Sequence, residues 1–154
     1  MPADAEARLK ALGLTLPEAP LPVANYVPFL ISGDQLFISG QVSKAGDGSV
    51  MTGTLGTSCT LEQGQAAARL CALNILAQAK AALGSLDRIA QVLRLTGFVA
   101  SSASFTDQPK VINGASDLLV AVLGDAGRHT RSAVGVTGLP LGAAVEIDAI
   151  LKIR

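Results

Sequence analysis

The 154-residue chain balances twelve basic against twelve acidic residues, is 49% apolar, and has only five aromatic side chains: four Phe, one Tyr and no Trp. Neutral charge leaves no electrostatic footprint for a polyanion, and so few rings leave little to stack on bases, so nucleic acid is set aside as the main partner. The length fits one domain over residues 1–154 with a substantial core.

Cys59, Cys71 and the lone His129 cannot supply a structural zinc site from Cys and His alone, and the two thiols read as reduced and inert. The start, MPADAEARLK, lacks the apolar stretch of a secretory signal, and no run is long enough to cross a bilayer. A cytoplasmic protein with no membrane partner, metal or cofactor is the expectation.

Residues 1–24 predict a short helix and a Pro-rich strap. Asp4 caps Ala5–Leu12, Gly13 stops it, and Pro17, Pro20 and Pro22 keep Leu14–Val23 extended. Asn25–Leu30 and Gln35–Val42 flank Ser32-Gly33-Asp34 and predict a β-hairpin, with Pro28 placing the first strand at an edge or bulge. Ser43–Val50 reads as a loop, and Met51–Leu55 as a short third strand.

The longest helix is predicted at Leu61–Leu83. Thr60 and Gln63 fit a capping box, the interior is rich in Ala and Leu, and Gly84 ends it. Its apolar stripe includes Leu70, Leu73, Ile75, Leu76 and Leu83, and Cys71 joins it as a small hydrophobe. Gln91–Ala100 reads as a strand. Pro109 can open a second helix to Leu123, with Val111, Ile112, Leu118, Leu119 and Val122 apolar.

Two extended segments close the chain, Ser132–Val136 and Ala144–Ile153, joined by Thr-Gly-Leu-Pro-Leu-Gly. In the second, Val145, Ile147, Ala149, Leu151 and Ile153 share one face, and Glu146, Asp148, Ile150 and Lys152 the other. Hairpin pairing across the turn would run Glu146 back towards Arg131. That pair reads either as a solvated ion pair or as a guanidinium gripping a carboxylate beside an acid that handles a proton. Asp148 reads as an ion-pair partner of Lys152 or of a neighbouring subunit, and His129 as a solvated loop residue.

The element order predicts an α/β two-layer sandwich: one mixed sheet with two long helices on one face, plus the short N-terminal helix. Two helices leave the other face uncovered although Phe37, Leu93 and Ile150 keep it partly apolar. A homo-oligomer with sites at subunit contacts follows.

ISGQV (38–42), LNIL (73–76), GSLDRI (84–89), Asn113-Gly114, TRSAVGV (130–136), Leu139-Pro140 and VEIDAI (145–150), in that order, resemble the YjgF/RidA family of reactive-intermediate deaminases, once called endoribonuclease L-PSP. The match runs from about Tyr26 to the C-terminus. The resemblance implies a chorismate-mutase-like fold and a homotrimer with three intersubunit sites. It implies that Arg131 clamps a substrate carboxylate, that Glu146 positions the attacking water, and that Tyr26, Ser39 and Asn113 line the cleft. Asn113 needs one extra residue before Arg131 to fit the pattern. Ala133 stands where the family often has Cys, so only its backbone could serve. The N-terminal helix and strap are additions beside Tyr26.

The activity implied is hydrolysis of 2-imino acids, formed from enamines such as 2-aminoacrylate, to 2-keto acids and ammonia. An imine carbon is already electrophilic, so holding the carboxylate and aiming a water suffices, without metal or covalent nucleophile. The alternatives are a non-catalytic binder of small keto acids and, disfavoured by charge and composition, a ribonuclease or translation inhibitor. Ser39 has no His–Asp partners that would make it a nucleophile.

Overall fold

The computed structural model describes residues 4–21 and 24–154. Asp4 accepts a hydrogen bond from Glu6 N and starts α1, Ala5–Ala11, which buries Ala5 and Leu9. The strap then runs along the next helix, where Pro20 O accepts from Gln78, and its last two residues, Pro22 and Val23, lie outside the described residues. The predicted hairpin is present as β1, Phe29–Ser32, and β2, Gln35–Val42. β1 begins at Phe29 rather than Asn25. It is the edge strand, as Pro28 requires, and the Pro28 carbonyl is used by Ser39 N at 3.0 Å.

Met51–Leu55 does not become a strand. Four of its backbone bonds scatter over three segments: Met51 N to Ser43 O, Gly53 N to Gly142 O, Leu55 N to Ala100 O, and Ala144 N to Met51 O. Isolated bridges result instead of a ladder.

The helix α2, Leu61–Leu83, has the predicted bounds, with the reciprocal Thr60–Gln63 capping box at its start and Gly84 in the left-handed region at its end. A 3₁₀ turn leads into β3, Ile89–Ala100. Then come α3, Gln108–Leu123, and β4, Thr130–Val136, and after a 3₁₀ turn at Pro140–Gly142 the chain ends in β5, Val145–Ile153.

The sheet order is β1-β2-β5-β3-β4. β5 is antiparallel to both β2 and β3, and β4 is parallel to β3, so the sheet is mixed. This corrects the expected β4–β5 hairpin. β5 buries every second side chain from Val145 to Ile153 and takes a central slot, where both of its edges are paired. β4 has no fully buried residue and lies at the edge, and residues 137–144 pass over the end of β3 instead of reversing beside β4.

Both long helices cover one face of the sheet. Ile75, Leu76, Ile112, Leu119, Leu36, Leu95, Ile147 and Leu151 are fully buried between the layers. The opposite face carries Phe37, paired with Ile150 and Leu30, and Phe98, paired with Val134. Leu30, Phe37 and Val134 are exposed there. This is the predicted two-layer α+β arrangement, with one layer of helices. Among the described residues no helix is long and apolar enough to cross a membrane.

Candidate functional site

The predicted site residues fall into two clusters. The first is built on an irregularity in β2. Between Ile38, paired with Ala149, and Gln41, paired with Ile147, β2 spends three residue steps against two on β5. Ser39 and Gly40 therefore stand together opposite Asp148, as in a β-bulge. Gln41, buried on the helix side, donates from Nε2 to Ser39 O at 2.9 Å and ties the bulge to itself.

Glu146 points to the open face of the sheet and lies against the bulge. A Cβ on Gly40 would fall on the Glu146 carboxylate, with Cδ only 3.0 Å away, so the missing side chain makes the seat for this acid. Burial first, and the Asp148 carboxylate second, hold the Glu146 pKa above the ordinary glutamate value. Ser39 Oγ donates to Val27 O at 2.7 Å and pins the segment that carries Tyr26 across β2.

A cavity of about 230 Å³ opens beside these groups, lined by Tyr26, Ser39, Gly40, Val42, Glu146, the strap residues Pro20 and Leu21, and Pro140 and Leu141 from the β4–β5 connection. A shallower depression continues over Phe37, Asp148 and Ile150 on the open face. Leu141 adopts φ +62°. That region is rare for a branched side chain, and such strain gathers at binding sites.

The second cluster lies at the far edge. Arg131 pairs with Leu95 and faces the helices. Its Nη1 donates to Asn113 Oδ1 at 2.8 Å and to Ser116 Oγ at 3.1 Å, and Nη2 donates to Pro109 O at 3.3 Å. His129 extends this network. Gly127 O can only accept, so Nδ1, 2.6 Å away, carries the proton. Burial is the main cause that lowers the His129 pKa, with Arg131 adding to it, and the neutral ring leaves Nε2 to accept from the Ser116 hydroxyl at 2.9 Å. The hydrogen-bond directions thus run from Arg131 into Ser116, from Ser116 into His129, and from His129 into Gly127.

Within the chain the structure brings Tyr26, Ser39 and Glu146 together, and separately Arg131 and Asn113. It does not join the two sets. Glu146 pairs with Phe98, three residues along β3 from the partner of Arg131. Two strand spacings and three residue steps put the two backbones about 14 Å apart, and the side chains leave opposite faces. The side chain of Ala133 packs against the core and leaves only its backbone for any ligand. Asp148 does not pair with Lys152, whose Nζ lies 3.9 Å from Asp34.

Ser116, His129 and Gly40 carry roles that sequence reasoning missed. Ser116 is three residues after Asn113 on α3, hence on the same side of the helix, which was the available signal. Among the described residues no group of three or more His, Cys, Asp and Glu could hold a metal ion.

The family model described as "YjgF/chorismate mutase-like, putative endoribonuclease" matches residues 6–149. Protein TCP17 of Trypanosoma cruzi is 54% identical over 149 residues, covering 96% of this chain and 93% of that protein. A Shewanella oneidensis MR-1 structure described as a putative endoribonuclease superposes with a TM-score of 0.94 at 40% identity, covering 97% of this chain and 99% of the other. RidA from the Antarctic bacterium Psychrobacter sp. PAMC 21119 gives a TM-score of 0.63 at 28% identity, covering 88% of this chain and 94% of the other.

Proposed function

The chain belongs to the YjgF/RidA family, and from that premise we propose that it hydrolyses reactive 2-imino acids to 2-keto acids and ammonia. One observation carries the reading: a carboxylate of raised pKa, Glu146, is seated over the side-chain-free Gly40 at the mouth of a cavity that also holds Tyr26 and Ser39. A general base works best with its pKa moved towards neutrality.

In this reading the substrate is the iminium form of a 2-imino acid. Glu146 takes a proton from a water as its oxygen attacks the imine carbon. The tetrahedral hemiaminal that forms passes a proton to nitrogen. The C–N bond then breaks, and the departing ammonia takes up the proton that Glu146 holds, leaving the keto acid, ammonium and the free Glu146 carboxylate. Charge balances, because the positive iminium and negative carboxylate give a negative keto acid and positive ammonium.

Arg131 is the carboxylate anchor, and it reaches Glu146 from a second copy of the chain. The one-protomer distance supports this, since no side-chain motion spans about 14 Å and a change of sheet face. The apolar open face supports association of copies, and the count of three is taken from the family resemblance. Each copy acts as one domain over residues 1–154. Asn113 and Ser116 hold the guanidinium in place until substrate arrives, and Tyr26 and Ser39 line the cleft.

The deciding experiment follows keto acid release from freshly generated 2-aminoacrylate. The expected result is release faster than in buffer, lost in Arg131→Ala. Release no faster than in buffer, or an Arg131→Ala protein as active as the parent, sinks the reading.

A further inference from the structure

The cavity beside Glu146 reaches past the reacting groups. Its far wall is the N-terminal strap, with Pro20 and Leu21, and its near rim is the strained Leu141 and its neighbour Pro140. Leu21 and Leu141 are 85% and 73% exposed in the protomer, so their side chains are open to contact with an apolar group in the cavity. The strap is also actively held. Gln78 of α2, 1% exposed, donates from Nε2 to Pro20 O at 2.5 Å. Among the described residues its Oε1 is buried without a partner, and the Nε2 bond is what fixes this wall.

Several polar groups on the walls are already engaged, with Lys44, Tyr26 and Glu146 the exceptions. Asn74 spends its amide hydrogens on Val42 O and Lys44 O, and Ser39 spends its hydroxyl on Val27 O. What remains for a ligand is mostly hydrocarbon.

We infer that this cavity is a side-chain subsite, and that the substrate is a 2-imino acid with an aliphatic side chain of several carbons. The inference rests on the deaminase reading for its reacting centre. It adds a specificity device that the strap supplies: the methyl of the smallest imino acid would leave most of about 230 Å³ empty. Leu21 and Leu141 are specificity-determining residues here, and Gln78 acts through the strap.

The test compares kcat/KM for imino acids generated in situ from leucine, alanine and glutamate by an amino acid oxidase. Each buried methylene is worth about fourfold, so the leucine-derived imine should exceed the alanine-derived one by about tenfold or more. In Leu21→Ser, Leu141→Ser and Gln78→Met that ratio should fall about fivefold. Gln78→Met keeps the buried volume while losing the strap's anchor, and circular dichroism shows whether its fold persists. A ratio near one in the parent overturns the inference. So does a ratio unchanged in all three variants, or a preference for the glutamate-derived imine, whose second carboxylate Lys44 on the cavity wall would receive. If no imino acid turns over, the deaminase reading fails, and calorimetry decides the subsite alone. Tighter binding of 4-methyl-2-oxopentanoate than of pyruvate, weakened in the variants, then supports it, and equal or absent binding overturns it.

Discussion

Arg131 and Glu146 leave opposite faces of one sheet, with β3 running between their strands. A site needing both must draw them from two copies. Arg131→Ala and Glu146→Gln should each be inactive alone. Unfolded together in equal amounts and refolded, they should regain about one quarter of the parent activity, because half the copies supply each intact group at random in a ring. A mixture as inactive as its components would place the two groups in different functions.

Arg131 and Ser116 should differ in the size of their effects. Arg131→Lys keeps the charge but loses the planar fork, and kcat/KM should fall about a hundredfold, mainly through KM. Ser116→Ala removes one of the bonds holding the guanidinium and should cost about tenfold, near the lower value of one hydrogen bond to a charged group. Steady-state kinetics on the same substrate separates the two.

Gly40→Ala tests the seat of the acid. The new Cβ must displace the Glu146 carboxylate, and a misplacement of about 1 Å costs on the order of a hundredfold in rate. The measurement is kcat for Gly40→Ala, with circular dichroism to show that the fold persists. Unchanged kcat would mean that Glu146 need not sit over the bulge.

Stability should respond to pH through Glu146 in a defined direction. Its folded pKa is raised, so the native state binds this proton more tightly than the unfolded chain does. The ionised carboxylate therefore weakens the fold at neutral pH. That penalty shrinks as pH falls through the folded pKa and is gone below the ordinary value. Glu146→Gln should melt slightly above the parent at neutral pH, and the gain should vanish by about pH 4. The effect is modest because the side chain is only half-buried.

His129 gives the opposite slope. Its folded pKa is lowered by burial, so protonation favours the unfolded chain. A charged ring would also turn both His129 Nε2 and Arg131 Nη1 as donors onto Ser116 Oγ. The melting advantage of the parent over His129→Gln should be greatest near neutral pH and narrow below about pH 6.5. A difference constant with pH would contradict the neutral ring.

Legibility of the sequence follows the range of the interactions. The bounds of α2 were readable because Thr60, Gln63 and Gly84 act within a turn of the helix they delimit. The alternation of β5 was readable, since burial follows it residue by residue. Its neighbours were not. Gly138 and Pro140 signal a change of direction, but nothing local says that β5 enters between β2 and β3 and leaves β4 at the edge. The site divides the same way. Tyr26, Ser39 and Glu146 line one cavity. The Ser116–His129 link joins α3 to the approach to β4 and exists only once β4 is docked on β3. Gly40 has no chemistry of its own, and its use is visible only from the carboxylate it leaves room for.

The position of β5 also orders the events of folding. The β1–β2 hairpin and the β3–α3–β4 unit both precede it in the chain, and neither pairs with the other in the finished sheet. During synthesis these two pieces must wait, each with its inner border unpaired, until the strand that joins them has left the ribosome. Closure is therefore a late, long-range step that completes the helix-facing core and sets the Glu146 carboxylate against its bulge at the same moment. An interrupted nascent chain would hold two sticky half-sheets and no acid.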